Sequence, residues 1–390
     1  MSTSPFSRRP RIVTWRRIAI GCGSAMFLCM ALGRFSFGAM VPSLVANGQM
    51  SVVEAGYIGG ANLVGFLIGA LASVALTRRV SLGHLMNGAI LLALAALIGS
   101  AFDLGVFWLG TWRCLIGIVT GIVMVQSLAI ATVHAPDDKR PQAASYVFIG
   151  VGLGILLTGS AVPIALEHGL PAAWWTIALV GIIAALLARW GLHELPQATR
   201  VTREPFSLPW NGTWLALIAA SFCFSFGIVP HTLYWFDFLA RTQQLGYVVA
   251  GAHWIVIGLF GILGPMFAAK LAAGVGTAAA TTITFLILAV GIAIPVVSHT
   301  SFSLIVSSII FGMQPGVSTM LAARVRDLGT AAQTPEMMRA TIIANGVGAA
   351  AGGVAIPTLL DATSTPALLF AFGAAAFLVG GLLCIIFQRT

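Results

Sequence analysis

Charged residues are scarce in this chain of 390 residues: only 8% are Asp, Glu, Lys or Arg, whereas 58% are hydrophobic. An ordinary soluble domain carries about 25% charged residues. The longest polar stretch runs from His193 to Trp210, which is too short to fold as a domain of its own. The composition therefore excludes a soluble globular protein and indicates an integral membrane protein.

Paired cysteines are also missing. The five cysteines all lie inside apolar stretches, and the chain contains no Cys-x-x-Cys pair and no Cys/His cluster. This excludes a disulfide framework and the usual spacings of a zinc site. No G-x-x-x-x-G-K-[ST] loop is present, which argues against direct ATP hydrolysis. We expect no cofactor and no metal, and the scattered His, Asp and Glu residues argue against a membrane-embedded enzyme.

Twelve apolar stretches fill the rest of the sequence. Each has about 18 residues or more, which suffices to cross roughly 30 Å of hydrocarbon at 1.5 Å per residue. Backbone groups in lipid must be hydrogen-bonded internally, so stretches of this length are helices. We predict an all-α integral membrane protein with twelve transmembrane helices. The predicted spans are residues 18–45, 54–76, 84–101, 105–132, 143–166, 170–192, 211–236, 247–269, 277–297, 301–323, 340–360 and 366–387.

The basic residues lie almost entirely on one side of these spans. Seventeen of the twenty Lys and Arg residues fall in the N-terminal tail, the even-numbered loops with their helix ends, and the C-terminal tail; Arg241 lies in an odd-numbered loop, and Arg34 and Arg113 lie inside spans. Cytoplasmic loops collect Lys and Arg, so both termini are predicted to be cytoplasmic. The net charge of +9 is spread over short loops, which suits lipid headgroups and not nucleic acid.

Two halves of six spans each flank the central polar stretch. We predict an N-terminal six-helix bundle in residues 1–192, a cytoplasmic linker in 193–210 and a C-terminal six-helix bundle in 211–390. An offset of 191 residues relates Gly-Ala-Asn62 of the second span to Gly-Ala-His253 of the eighth, and Arg79 to Lys270. Parallel repeats of this kind are typical of transporters, with a solute site between the halves.

The fourth span contains Arg113-Cys-Leu-Ile-Gly117-Ile-Val-Thr-Gly121, in which every fourth residue lies on one helix face. This element resembles the R-x-x-x-G-x-x-x-G sequence of the major facilitator superfamily. The loop after the second span, with Arg78 and Arg79, stands where that superfamily has a conserved basic cytoplasmic loop. The resemblance implies two six-helix bundles that rock about a central solute site.

Two further elements extend the resemblance. The glycine-rich fifth span, with Gly154 and Pro163, is similar to the glycine–proline element of superfamily exporters. In the first span, Gly33-Arg34-Phe35 followed by Pro-x-Leu resembles the poorly characterised YbfB/YjiJ-like branch, which implies a secondary transporter of the bacterial inner membrane. Membrane glycines serve either plain packing or helix motion. The candidates for conformational change are Arg78, Arg79, Gly117, Gly121, Gly154 and Pro163.

Arg34 and Arg113 are the two charges that the spans bury. A buried membrane arginine costs at least about 2.5–3.5 kcal/mol, so each needs partners or water. Three interpretations stay open. Both arginines bond helix carbonyls and stabilise the bundle, or at least one forms a site for an anionic group of the solute, or a remote acid such as Glu54 or Asp103 pairs with one of them.

Other polar residues inside the spans are further candidates. His231 and His253 are candidates for proton coupling because histidine changes charge between about pH 5 and 8, and Asp237 is the acid near His231 in sequence. Each histidine is alternatively a hydrogen-bonded structural residue. Uncharged polar residues in spans either cross-link helices or contact the solute. His231 is also a candidate for contact with the solute. The uncharged candidates are Asn62, Gln126, Tyr146, Gln314 and Asn345.

Together these features predict a secondary active transporter that acts by alternating access as a monomer in the lipid bilayer. The two arginines favour a small organic anion as the solute, and a proton gradient is a candidate driving force. The alternative is a multidrug-type exporter of hydrophobic or cationic compounds, which would require a carboxylate in the middle of the membrane. The first half of the chain contains none.

Overall fold

The computed structural model describes residues 14–193, 195, 211–330 and 333–386. Within these residues the protein is helical, with twelve segments long and apolar enough to cross a membrane and no β-strand. The twelve predicted spans are therefore confirmed. We label them α1 to α12. The predicted linker at 193–210 falls almost entirely outside the described residues.

The first half contains α1 to α6. Helix α1 is a composite of two α-helical segments joined by a π-helical segment at Phe27–Phe35, and a short 3-10 turn at Asp137–Lys139 precedes α5. The bounds are α1 Trp15–Ala46, α2 Val52–Leu76, α3 Leu82–Ser100, α4 Val106–Val133, α5 Arg140–Leu166 and α6 Leu170–Leu192.

The second half contains α7 to α12. Helix α7 is interrupted at Ile228 and ends in a π-helical turn, and α10 is interrupted between Gly312 and Pro315. The bounds are α7 Gly212–Thr242, α8 Gly246–Val275, α9 Thr277–Val297, α10 Ser301–Leu328, α11 Thr334–Thr363 and α12 Pro366–Ile386.

Local sequence signals set the helix starts. Ser51 caps α2 and forms a capping box with Glu54: the Ser51 N–H donates to Glu54 Oε2 at 2.7 Å, and the Glu54 N–H donates to Ser51 Oγ at 3.1 Å. Gly105 and Gly169 precede α4 and α6 with φ of +88° and +99°, a conformation that favours glycine. The tight turns keep successive spans antiparallel.

Arg241 lies in α7 and not in the following loop, which corrects the prediction from sequence. The π-helical turn Phe238–Thr242 extends the seventh span by a turn beyond its predicted end at residue 236. Arg241 Nε lies 2.7 Å from Asp237 Oδ1, and this ion pair between residues four apart stabilises the extra turn.

The outer surface of the bundle is apolar. On α6, for example, Leu179, Ile183 and Leu186 share one helix face and are each 60–63% exposed. A surface of exposed aliphatic side chains at helical spacing suits lipid and not water. Many of the glycines instead lie where helices approach closely.

The two halves meet along two seams of small residues. In the first seam, α2 packs on α11, and a Cβ on Gly60 would collide with the Gly353 carbonyl. In the second, α5 packs on α8, and a Cβ on Gly159 would lie 2.9 Å from the Ile255 nitrogen. Backbones approach this closely only because the side chains are missing.

Contacts between the halves concentrate toward one end of the molecule. We call the end at which α1 begins and α12 ends the terminal end, and the other the opposite end. Near the opposite end, α1 also meets α7, where a Cβ on Gly38 would lie 3.1 Å from the Thr232 carbonyl. At the same end of the α2–α11 seam, Tyr57 Oη lies 3.0 Å from Thr358 Oγ1. The described residues thus form a bundle closed at the opposite end.

The internal repeat has a structural counterpart. Asn62 of α2 donates from Nδ2 to the Arg113 carbonyl of α4 at 3.0 Å. At the same place in the second half, His253 Nδ1 of α8 lies 2.8 Å from Ser308 Oγ of α10. The offset of 191 residues thus relates two polar side chains that each tie the second helix of a half to its fourth.

Candidate solute site

Arg34 and Arg113 lie together in the core of the first half. Arg34 is near the end of the π-helical segment of α1, and Arg113 approaches it from α4. Arg113 Nη2 donates to the Arg34 carbonyl at 3.2 Å. The Ser36 N–H bonds to the Ala31 carbonyl five residues back, which is the hydrogen-bond pattern of a π-helix. Single π-helical turns are frequent at functional sites.

Neither arginine has a carboxylate partner among the described residues, in which every recorded ion pair involves other side chains. Each guanidinium instead lies near an aromatic ring, in a cation–π contact. The Arg34 guanidinium lies 5.8 Å from the Phe35 ring, and that of Arg113 lies 4.7 Å from the Phe37 ring. The Nε of both arginines and Nη1 of Arg113 have no hydrogen-bond partner. The site is therefore positively charged with unused donors.

The two arginines differ in accessibility. Arg34 is 8% exposed and Arg113 only 1%. Arg113 is enclosed, because its guanidinium contacts the α1 backbone and its own carbonyl accepts from Asn62. Thr120, two turns along α4, donates to the Cys29 carbonyl at 2.9 Å and fixes α4 against α1. Arg34 thus keeps a small accessible area, whereas Arg113 is enclosed.

The other predicted polar residues do not join the arginines. Gln126 donates from Nε2 to Ser73 Oγ at 2.6 Å, which cross-links α4 to α2 within one half. The Tyr146 ring lies 6.2 Å from that of Trp15, near the terminal end.

Gln314 and Asn345 lie in the second half. Gln314 lies at the interruption of α10, where its backbone N–H donates to the Phe311 carbonyl. Asn345 of α11 is half-buried, and its side-chain oxygen is a buried acceptor without a partner.

His231 is enclosed by rings in the second half. Its imidazole stacks on Trp235 with centroids 4.5 Å apart, and it lies 4.8 Å from Phe311 and 4.9 Å from Phe370. Nε2 lies 3.0 Å from Ser307 Oγ, and Nδ1 is a buried atom without a hydrogen-bond partner. This surrounding favours the structural interpretation of His231.

The other two candidates for proton coupling also have partners. His253 pairs with Ser308 Oγ, which accepts a second hydrogen bond, of 3.0 Å, from Trp235 Nε1. Asp237 is buried and forms its ion pair with Arg241, so it does not pair with His231. The sequence did not identify Ser307 and Ser308 as partners, although a serine pair in an apolar span was a usable signal.

The residues predicted to serve conformational change divide into groups. Gly117 and Gly121 pack on the α2 backbone, and Gly154 packs on Phe27 and Ala31 of α1, all within the first half. Pro163 faces the other half: its Cγ would lie 2.6 Å from a Cβ on Gly251 of α8.

The two basic residues of this set lie outside the helices. Arg78 and Arg79 are exposed in the turn after α2, at the terminal end.

This arrangement of twelve helices with a buried cationic centre agrees with the comparison with known proteins. The family described as "Uncharacterised MFS-type transporter YbfB" matches residues 26–385. The chain belongs to this family. The resemblance stated from the first-span and fourth-span motifs is therefore confirmed, and the protein is a transporter of the major facilitator type.

Individual relatives of the transporter are more distant. It is 28% identical over 183 residues to "Sugar transporter ERD6-like 15" of Arabidopsis thaliana, which is 45% of this chain and 36% of that protein's length. The nucleoside transporter NupG (D323A mutant) superposes with a TM-score of 0.74 over 95% of this chain and 100% of that one, at 11% identity. A POT family transporter in complex with 5-aminolevulinic acid superposes with a TM-score of 0.76 over 95% and 96%, at 13% identity. These structures support the fold.

Proposed function

We propose that this transporter moves a small organic anion across the bacterial inner membrane by alternating access, as a monomer with both termini in the cytoplasm. The observation that carries the proposal is the arginine pair. Arg34 and Arg113 are buried next to each other with unused N–H donors, and no carboxylate of the described residues pairs with them. Two like charges in a membrane are costly, and an anion that accepts from a guanidinium offsets that cost.

The described residues do not support the alternative of an exporter for cationic compounds. Such a solute would require a free carboxylate in the interior. Asp237 is the buried acid of the described chain, and it is paired with Arg241 at 2.7 Å near the opposite end of α7. Export of cations remains the alternative, and the ligand-binding test described below distinguishes it from anion transport.

Proton coupling is part of the proposal, with His231, His253 and Asp237 as its candidate residues. The charged group that faces Asp237 is Arg241. The two histidines face serine hydroxyls and aromatic rings. Uptake measured against external pH in His231→Gln, His253→Gln and Asp237→Asn separates them, because the proton carrier loses its pH dependence. A structural residue loses stability and keeps the pH profile. Unchanged profiles in all three would remove proton coupling at these residues.

The test of the anion site is ligand-dependent thermal stabilisation of the purified full-length protein. A panel of organic anions is compared with neutral and cationic compounds of similar size. A ligand at 100 times its Kd adds about 2.7 kcal/mol of stability. We expect anions to raise the Tm of the wild type, and Arg34→Gln and Arg113→Gln to abolish that rise. The exposed Arg326, changed to Gln, is the matched control, which keeps the rise.

Stabilisation by lipophilic cations that survives both arginine changes would contradict the anion site and favour the exporter. Uptake of the shortlisted anion into proteoliposomes then checks that binding leads to transport. Arg34→Lys keeps the charge but not the two-pronged geometry of a guanidinium, so we expect it to bind the anion more weakly than wild type and better than Arg34→Gln.

A further inference from the structure

Helix α1 has a single accessible stripe. Between residues 18 and 44 every side chain is buried except those of Ile20, Ser24, Phe27 and Met30. These positions are three or four residues apart, and the next step of four residues reaches Arg34, which is 8% exposed. Residues so spaced lie on one face of a helix. The stripe begins near the terminal end and stops at Arg34, because residues 35–44 are buried on all sides.

This stripe faces the space between the halves and not lipid. The remaining faces of α1 pack on α4, α5 and α6, where Gly23 lies against the backbone of Tyr146 and Gly21 against Gly191. The α2–α11 and α5–α8 seams close both flanks. Past Arg34, Gly38 contacts α7, and the Phe35 ring lies 6.3 Å from that of Trp254. The stripe therefore lines a path that is open toward the terminal end and closed at Arg34.

Helix α7, which the repeat relates to α1, shows the same pattern. Its accessible positions include Leu215, Phe222 and Phe226 on one face, and residues 227–240 are buried throughout. The rings of Phe222 and Phe226 stack with centroids 6.1 Å apart. The offset of 191 residues takes Arg34 to Ser225, so the α7 stripe ends at the same depth as the α1 stripe.

The composition of the two stripes differs from that of a site for a polar anion. From Ile20 to Met30, and from Leu215 to Phe226, the accessible side chains are aliphatic, aromatic or thioether, with the Ser24 hydroxyl and the Cys223 thiol as the exceptions. Among the described positions of the two stripes, Arg34 is the charged residue, and it lies at the closed end. A second anionic group on the solute would lose its hydration against apolar walls. An apolar body would gain about 25 cal/mol for each Å² it buries there.

Building on the anion site proposed above, we propose that the solute is a monocarboxylate with an aromatic or branched apolar body. Its carboxylate binds the Arg34 guanidinium, and its body lies between the Phe27–Met30 face of α1 and the Phe222–Phe226 face of α7. Flexible methionine and flat aromatic rings suit such a body. Arg113 does not touch the solute and holds the Arg34 backbone in place.

The test measures thermal stabilisation of the full-length protein by matched small molecules. The probes are two apolar monocarboxylates, phenylacetate and 3-methylbutanoate. Phenylacetamide is the neutral analogue, and acetate is a carboxylate without a large apolar group. Succinate and inorganic phosphate are the polar anions. We expect phenylacetate or 3-methylbutanoate to bind at least tenfold more tightly than acetate, succinate and phosphate. Phenylacetamide does not bind, and Arg34→Gln abolishes the binding.

Substitutions in the α1 stripe give a second measurement, the change in Kd for the probe. Met30→Gln keeps the side-chain length and removes its apolar character, so we expect the Kd for the better probe to rise roughly tenfold. Met266→Gln, the same exchange at an exposed position of α8, leaves the Kd unchanged. Met30→Leu restores the affinity, and this shows that a loss in Met30→Gln reflects polarity and not misfolding.

The outcomes separate the two proposals. Tighter binding of succinate or phosphate, with no effect of Met30→Gln, would overturn the apolar monocarboxylate and leave the anion site intact. Equal binding of phenylacetamide and phenylacetate, or binding that is indifferent to Arg34→Gln, would overturn the anion site itself. If neither apolar carboxylate binds more tightly than acetate, the inference drawn from the stripes is wrong.

Discussion

Ser308 serves two buried side chains at once. Its hydroxyl accepts from Trp235 Nε1 at 3.0 Å and lies 2.8 Å from His253 Nδ1. Both partners belong to the second half, and all three side chains are buried or nearly so. The serine thereby ties α7, α8 and α10 together at one point, in a region where water cannot replace a lost hydrogen bond.

Replacement of Ser308 by alanine leaves the Trp235 and His253 nitrogens without partners. An unsatisfied buried polar group costs about 1–3 kcal/mol. We therefore expect Ser308→Ala to lower the Tm of the detergent-purified protein clearly, as measured by its thermal unfolding. Ser301→Ala, at the exposed start of α10, is the control and leaves the Tm unchanged. An equal Tm for both variants would show that the two nitrogens find other partners.

At the scale of single residues the sequence identified the buried charged, amide and imidazole side chains of the interior, but not the buried serines and threonines and not the hydrogen-bond partners. Arg34 and Arg113 were expected to be buried, and the structure adds that they meet through a carbonyl 79 positions away in the chain. Hydrogen bonds of this kind depend on how helices rotate in the bundle. The apolar residues surround these helices on all sides, so periodicity does not reveal that rotation.

Glycine seams decide how the helices of the two halves approach one another. A Cβ on Gly159 would lie 2.9 Å from the Ile255 nitrogen and 3.0 Å from the Gly251 carbonyl, so a larger residue forces α5 away from α8. We expect Gly159→Leu to disfavour the arrangement that is closed at the opposite end. Transport falls, because one of the two states of the cycle is lost.

The spacing of spin labels checks this prediction. Labels at Asn47→Cys and Thr242→Cys, both exposed at the opposite end, report the gap between α1 and α7 in a background without the native cysteines. The distance should increase in Gly159→Leu. It should stay unchanged in Gly88→Leu, where a Cβ meets nothing within 4 Å. The same distance distribution in both variants would contradict a role of the seam in closure.

At the scale of elements the sequence predicted the spans well and their irregularities poorly. Span limits followed from hydropathy to within six residues. Errors of six residues occur at the end of α7, where the Asp237–Arg241 pair extends the helix, at the end of α8 and at the start of α11. The π-helical segment of α1 was not predicted. It inserts one residue into a helix without altering its composition, and Gly33, the glycine inside it, is one of many glycines in these spans.

The whole molecule is closed at the opposite end, and its α1 stripe is accessible from the terminal end. If the termini are cytoplasmic, as the distribution of Lys and Arg predicts, this is the inward-facing state. Ile20, 39% exposed in that path, should then react after mutation to cysteine with a membrane-impermeant maleimide in inside-out vesicles. Labelling is read as a mass shift in a background without the native cysteines.

Val41→Cys is the matched control, because Val41 is on the same helix beyond Arg34 and only 2% exposed. It should not react from either side in this state. Labelling of Ile20→Cys only from the periplasmic face would reverse the orientation predicted from the loops. The overall architecture, in contrast, followed from twelve apolar stretches and a central polar segment, because a bilayer permits few arrangements of such a chain.

The uncompensated arginine pair also determines which step of the cycle is slow. When both ends close around an empty centre, two guanidinium charges lose the last water that reaches them, whereas a bound anion neutralises one of them. The loaded carrier should therefore reorient faster than the empty one. The rate at which labelled solute exchanges for unlabelled solute across a proteoliposome membrane should then exceed the rate of net uptake. Only net uptake requires the empty carrier to return.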